Sequence, residues 1–278
     1  MVIDFHNHFY PDQIAKKAID KLSTNADIVA YTDGTLQGLS DDLKNSGYDL
    51  GVVLPVATAP KQVEGINTRA IQVQEQYPNL ISFAAMHPDY ENYKDEIFRI
   101  KELGLKGIKF HPDYQDTFFD DDKMLNILDE AFKNDLIVVV HAGVDIGLPP
   151  PVHTGIEQIL KVLDIFKDRA QKLVLAHTGG WALWDEVYDK IAGKNVYMDI
   201  SFSIGSTTKK ASGEELKLLD DDMLVKIVRR HGVDKILYGT DSPWGDHKMM
   251  LDKFMTLPFT KEEQDKILYQ NAKKLLKI

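Results

Sequence analysis

Histidines at the ends of apolar runs are the first chemistry visible in this chain. Six of its nine histidines sit where a short apolar run stops: Val2-Ile3-Asp4-Phe5-His6-Asn7-His8, Ile81-Ser82-Phe83-Ala84-Ala85-Met86-His87, Gly107-Ile108-Lys109-Phe110-His111, Ile137-Val138-Val139-Val140-His141 and Leu173-Val174-Leu175-Ala176-His177. A later run, Ile236-Leu237-Tyr238-Gly239-Thr240-Asp241, ends in aspartate. His6 and His8 are two apart, so on a strand they share a face, and two neutral imidazoles converging there can share one divalent ion. The pair alone is a weak signal, because nine histidines produce such a spacing by chance. Taken singly, His141 and His177 read as core histidines bonded to a carbonyl, and Asp241 as a turn or N-cap aspartate before Ser242-Pro243. Four histidines and one aspartate at the exits of four strands are hard to explain as independent accidents. Together they point to a metal site.

The elements that must position these residues alternate from end to end. Short β-branched runs bounded by turn residues predict buried strands. Eight are expected: one ending at His8, Gly51 to Val56, and then runs ending at His87, His111, His141 and His177, Asn195 to Ile200, and one ending at Asp241. Helical patterns separate them: Pro11 to about Leu22, a helix capped by Ser40, then about Asn67 to Tyr77, Asn92 to Leu103, Asp122 to Asn134, Thr154 to Phe166, Trp181 to Ile191 and Asp220 to His231. Two more close the chain, the last opened by a capping-box pattern, Thr260-x-x-Glu263. Such alternation implies parallel pairing. An open doubly wound sheet would concentrate its site at one switch point, whereas candidate ligands here are spread over many strands. The expectation is one (β/α)8 TIM barrel, a single domain over residues 1–278, with the site at the C-terminal ends of its strands. The longest loops, Gly143 to His153 and Ser201 to Leu219, would lie over that site.

Composition excludes several alternatives. A formal charge of −10 argues against general affinity for nucleic acid or acidic lipid. The chain has no cysteine, so thiolate nucleophiles, disulfides and Cys-ligated zinc are impossible. The first strand begins at Val2, leaving no room for a signal-peptide pattern, and no apolar stretch approaches the ~20 residues of a membrane span. The expected location is cytoplasmic and the expected partner a small-molecule substrate, with a homodimer left open. No Gly-x-Ser-x-Gly elbow, phosphate-binding Gly-x-x-x-x-Gly-Lys loop or dinucleotide Gly-x-Gly-x-x-Gly follows a strand.

The stretches Asp4-Phe5-His6-Asn7-His8, Gly107-Ile108-Lys109-Phe110-His111-Pro112, Val140-His141-Ala142-Gly143, Ala176-His177-Thr178-Gly179-Gly180, Tyr238-Gly239-Thr240-Asp241-Ser242-Pro243 and Asn271-Ala272-x-x-Leu275-Leu276 resemble the amidohydrolase superfamily. Within it they resemble the amidohydrolase-related branch that includes aminocarboxymuconate-semialdehyde decarboxylase. The resemblance implies a mononuclear centre with His6, His8, His141 and Asp241 as ligands and His177 beside the metal-bound water. Asp241 would then also carry a proton, and His177 would act as a catalytic imidazole. Imidazole-rich ligation puts zinc first, and one carboxylate admits manganese. Two reactions fit: hydrolysis of an amide, lactone or related bond, favoured by the compact length, and nonoxidative decarboxylation or hydration with the same ligands. A metal-binding barrel without turnover is the third reading.

Lys109 leaves the metal count open. It could be carboxylated and bridge two metals, as in other branches of the superfamily, pair with Asp4 or Asp199, or bind substrate. His111 is expected as a substrate contact or a support behind the ligands. His87 reads equally as pocket wall or core, and Trp244, Tyr10 and Tyr114 are further pocket candidates. His153 is expected in a solvated loop, His231 as a helix-terminal dipole partner and His247 at the surface. The arginines all fall on predicted helices or helix ends, so a carboxylated substrate would need Lys109, histidines or backbone amides.

Overall fold

A computed structural model describes residues 1–205 and 207–278. In chain order its elements are β1 (Ile3–Asn7), α1 (Asp12–Ala26), α2 (Leu36–Asn45), β2 (Leu50–Val53), α3 (Val63–Gln76), β3 (Leu80–Ser82), β4 (Ala84–Ala85), α4 (Tyr93–Glu102), β5 (Gly107–Phe110), α5 (Asp122–Lys133), β6 (Ile137–Val140), α6 (Ile156–Phe166), β7 (Leu173–Leu175), α7 (Trp184–Glu186), β8 (Tyr197–Asp199), β9 (Thr207–Lys209), β10 (Glu215–Lys217), α8 (Asp221–His231), β11 (Ile236–Leu237), α9 (His247–Thr256), α10 (Lys261–Asp265) and α11 (Asn271–Leu276). Two all-parallel arrays result, β1-β2-β3 and β4-β5-β6-β7-β8-β11. Backbone hydrogen bonds join them at both ends. Phe83 N–H, between β3 and β4, donates to Val53 O at 2.9 Å, and Phe5 N–H donates to Tyr238 O at 2.8 Å. Farther up, Asp241 N–H donates to His6 O at 2.8 Å and His8 N–H to Ser242 O at 2.7 Å. This is the expected eight-stranded β/α barrel, with the third strand broken into β3 and β4.

Both strand faces are apolar because both are covered. Outward residues such as Ile108, Phe110, Val138 and Val140 pack with Ile127, Leu128, Ile159 and Val162 of the surrounding helices. Ile3, Phe5, Phe83, Ile137, Val139, Val174 and Leu237 form a second cluster with Ala272, Leu275 and Leu276 of α11. That cluster fills the lower barrel, and the last helix plugs it.

Local differences from expectation have local causes. The cap of α2 is Thr35, whose hydroxyl accepts from Gly38 N–H at 2.9 Å. Ser40 lies buried inside that helix and donates to Asn79. The helix expected from Trp181 starts at Trp184 and widens into a π turn over Val187–Ile191. The expected loop Ser201 to Leu219, whose residue 206 lies outside the described residues, holds the antiparallel hairpin β9-β10. Thr260 and Glu263 form the expected capping box on α10. No described helix is long and apolar enough to cross a membrane.

Candidate metal centre

The register of β1 against β2 slips by one residue between Asp4 and Asn7. A regular strand would keep His6 on the same face as Asp4, opposite Phe5. The bulge breaks this alternation. Phe5 stays in the interior cluster, Asp4 hydrogen-bonds Thr240, and His6 turns to meet Asp199 across the barrel. His6 Nε2 then lies 3.2 Å from His8 Nε2 and 3.4 Å from Asp241 Oδ1, and His8 Nε2 is 3.1 Å from the same oxygen. In a tetrahedral site with bonds near 2.0–2.1 Å, ligand atoms stand about 3.3–3.4 Å apart. The three donors fit that spacing.

Their partners select the tautomers. His8 Nδ1 donates to Leu54 O at 2.8 Å, and His6 Nδ1 donates to Asp199 Oδ2 at 2.9 Å. Each imidazole therefore turns an Nε2 lone pair toward the shared point, with an outer acceptor fixing the ring as in carboxylate–histidine–metal arrangements. On the far side His177 Nδ1 lies 3.2 Å from Ser201 O, and its Nε2 lies 3.1 Å from His141 Nδ1. The buried His141 Nε2 is left without a hydrogen-bond partner, as a fourth lone pair needing a cation would be. His111 stacks on His141 with centroids 4.1 Å apart, and its Nε2 lies 3.3 Å from Asp145 Oδ2. The structure thus brings His6, His8 and Asp241 together directly, and holds His141 with His177 and His111 in the same cavity.

Electrostatics suit a cation. Burial, aided by the Lys109 charge, holds His6 well below the usual histidine value. Burial does the same to His141, with His111 adding to it, and to His111, with Lys109 adding to it. Neutral imidazole is the form a metal needs. Burial pushes the Asp241 carboxyl up, but His6, His8 and His177 together outweigh it and hold it down at about 2. Burial lowers Lys109 to about 8 against the pull of Asp199 and Asp241. Lys109 pairs with neither Asp4 nor Asp199. Its Nζ lies 3.2 Å from His6 Nε2, and among the described residues no carboxylate oxygen is within ion-pair reach. His177, Thr178 and Asp241 have left-handed backbones at φ 59°, 56° and 67°. Three such non-glycine residues at one site, each costing on the order of 1–3 kcal/mol, is a concentration of strain typical of functional positions.

The cavity above this floor has a volume of about 610 Å³. Lys109, His111, Trp244, Tyr10 and Tyr114 line it as expected, together with Phe9, Trp181 and Phe202. His87 does not; its Nδ1 accepts from Asp89 N–H at 3.1 Å. Trp184 instead donates to His177 O. His247 is buried rather than superficial: Nε2 is 3.1 Å from Asp4 Oδ2 and Nδ1 2.6 Å from Asp42 Oδ2. His153 is buried against Asp113, and His231 is bonded through Nε2 to Val196 O. Arg69 of α3 reaches the cavity wall, against the expectation that no arginine would. Sequence reasoning also missed Asp199 and Ser201 as supports of His6 and His177. Their i, i+2 spacing at the end of a strand was the available signal.

The profile of the amidohydrolase family matches residues 3–278, and the chain belongs to that family. No curated protein matches it. Among solved structures it is similar to 2,6-dihydroxybenzoate decarboxylase complexed with 2,6-dihydroxybenzoate, at 15% identity and a TM-score of 0.73 over 100% of this chain and 99% of that one. It is similar also to 5-carboxyvanillate decarboxylase from Sphingomonas paucimobilis, at 14% identity and a TM-score of 0.69 over 100% and 99%. A third is dihydroxybenzoic acid decarboxylase from a Polaromonas species with bound manganese and 2-nitroresorcinol, at 15% identity and a TM-score of 0.71 over 99% and 96%.

Proposed function

We propose that residues 1–278 form one barrel domain that decarboxylates a small aromatic carboxylic acid without oxidation, using one divalent transition metal. The carrying observation is the cavity itself: aromatic walls over a floor of imidazoles, one lysine and one carboxylate. A flat ring fits between Phe9, Trp181, Phe202 and Trp244, with its carboxylate directed at Lys109 and His177. The decarboxylases named above share the fold, which supports this reaction over the hydrolysis first expected from the compact length.

His6, His8, His141 and Asp241 would hold the metal. A divalent cation held there would supply Lewis-acid attraction for negative charge on the substrate. The protein's own groups do the rest. Lys109 and His177 orient the carboxylate from the floor. Asp241, ionised at rest, takes the proton of the ring hydroxyl and returns it to the carbon that carries the carboxylate. The carbon–carbon bond then breaks, carbon dioxide leaves, and the phenolate takes one proton from water. The net change is the acid anion plus a proton going to the phenol and carbon dioxide.

The test is a product assay on metal-loaded protein with a panel of hydroxybenzoates, alongside amides and lactones, with metal analysis separating manganese from zinc. Carbon dioxide with the matching phenol is expected. Hydrolysis of an amide or lactone without carbon dioxide from any acid would overturn the reaction.

A further inference from the structure

The helix α1 carries an apolar stripe that the protein itself covers only in part. Of its 15 residues only Ala15 is buried, and Ile14 is 50% exposed. A surface helix ordinarily lays such a stripe on the core. The layer packed around the strands takes Leu36, Leu39 and Leu43 from α2 and nothing from α1. Ile19 does face the protein, close enough to Gly34 that a Cβ there would meet its Cδ1 at 2.8 Å. Ile14, Ala18, Leu22 and Ala26, spaced four apart along one face, line the cavity instead. The ends of α1 show why. It starts just past the exit of β1, and at its far end Ala26 packs with Ile28, Val144, Ile146, Trp181 and Phe202. The last four stand in the loops after β6, β7 and β8, across the barrel from β1. α1 is therefore a roof over the mouth, and from Ile14 to Ala26 it spans about 18 Å.

Apolar surface facing a cavity is stabilised by whatever fills that cavity. A volume of about 610 Å³ lies within the ~300–1,000 Å³ usual for drug-sized ligands, well beyond a single ring. A hydroxybenzoate with its carboxylate on the floor leaves the space beneath the roof unfilled. Its para position points away from the floor, toward α1. We propose that the substrate carries an unbranched apolar chain opposite its carboxylate, and that the chain lies under α1 against Ile14, Ala18 and Leu22. Ala18, set between the larger Ile14 and Leu22, leaves the groove that admits it. Lys21 is the one charged residue that α1 adds to the lining, so a chain ending in an anion is the competing occupant. The ring end of this substrate rests on the decarboxylase reading above; the apolar site beneath α1 does not.

Binding is therefore measured apart from turnover, by calorimetry on metal-loaded protein. The probes are 2,6-dihydroxybenzoate and its 4-methyl, 4-propyl and 4-pentyl derivatives, plus the pentyl compound with a terminal carboxylate. Affinity should rise about 3-fold per added methylene. Ala18→Phe should fill the groove and erase the rise, leaving the pentyl compound within about 2-fold of the methyl one. Unsubstituted 2,6-dihydroxybenzoate should bind that variant within about 2-fold of the unaltered protein, which shows the floor intact. Equal affinity across the series in the unaltered protein would overturn the apolar site. So would a rise that survives both Ala18→Phe and Leu22→Asn, and tighter binding of the carboxylate-ended chain would overturn the apolar assignment. If no compound releases carbon dioxide but Ala18→Phe still erases the rise, the reaction fails and the site beneath α1 stands.

Discussion

The two halves of the barrel interior are built from opposite materials. Below, Ile3, Phe5, Phe83, Ile137, Val139, Val174 and Leu237 pack on α11. Above, in the same strands or just past their ends, stand His6, His8, Lys109, His111, His141, His177, Asp199 and Asp241. A few residues along one strand separate a dry packed layer from a polar cluster. The lower half does what cores do, holding eight strands in register by non-directional burial. The upper half can then carry buried imidazoles, a buried lysine with no carboxylate in ion-pair reach among the described residues, and left-handed backbones that would otherwise destabilise the fold. The contrast teaches that a site of this kind stands directly on a packed apolar layer supplied by the same strands.

The contrast can be broken from either side. The largest effect should come from His6→Ala combined with His8→Ala. Metal content should fall to background and turnover should vanish, while circular dichroism and melting of the apoprotein barely change. Retained metal in that variant would refute the ligand assignment. Next is the lower half. Phe83→Ala removes a fully buried ring that packs edge-on against Phe5 with centroids 5.8 Å apart, and should cost about 3–5 kcal/mol in urea unfolding. That loss should be the same at pH 6 and pH 9, since no ionisable group is touched.

The outer wall of the upper half should instead respond to pH. Burial pushes His247 down, but its contacts with Asp4 and Asp42 outweigh that and raise it to about 9. Because its folded value lies above the unfolded 6.5, the group contributes fully below about pH 6.5, and the contribution disappears as pH rises through 9. About 3 kcal/mol of stability should be lost across that window, and His247→Gln should abolish the slope. An unchanged slope in the variant would place the titration elsewhere. The smallest of the four effects is His177→Asn, which should keep its metal but slow turnover by about 10²-fold, roughly 2.7 kcal/mol of barrier. Metal loss in that variant would make the imidazole after β7 a ligand, and full activity would make it a bystander.

Most of the fold was legible because each strand announces itself twice, by a β-branched run and by the polar residue that ends it. Ile137 to His141 and Leu173 to His177 show this well. The break at Phe83 was not legible, since it falls where the strand passes from pairing with β2 to pairing with β5, and both partners are distant in sequence. The same holds for the bulge in β1, because register is a property of two strands and β2 decides it. In the site, residue type at a strand end pointed to His6, His8, His141, His177 and Asp241. It could not reveal that Asp199 and Ser201 orient those rings, or that His247 lies buried between Asp4 and Asp42. A histidine six positions past a strand, in a charged stretch such as Gly245-Asp246-His247-Lys248, reads as surface until the neighbouring helix is in place.

The seam between β1 and the segment after β11 also bears on how the molecule is made. Asp4 and Thr240 meet there although they are 236 positions apart in the chain, and His6, His8 and Asp241 assemble across the same seam. A growing polypeptide presents His6 and His8 together but must add all the strands between β1 and β11 before Asp241 exists. Contacts of such long sequence separation form late, after the loop-closure entropy of the intervening chain has been overcome. Cation capture by these residues would therefore follow closure of the seam. In refolding from denaturant, uptake of the ion should track the slowest phase, and uptake in the dead time would show that the two imidazoles of β1 suffice without the seam.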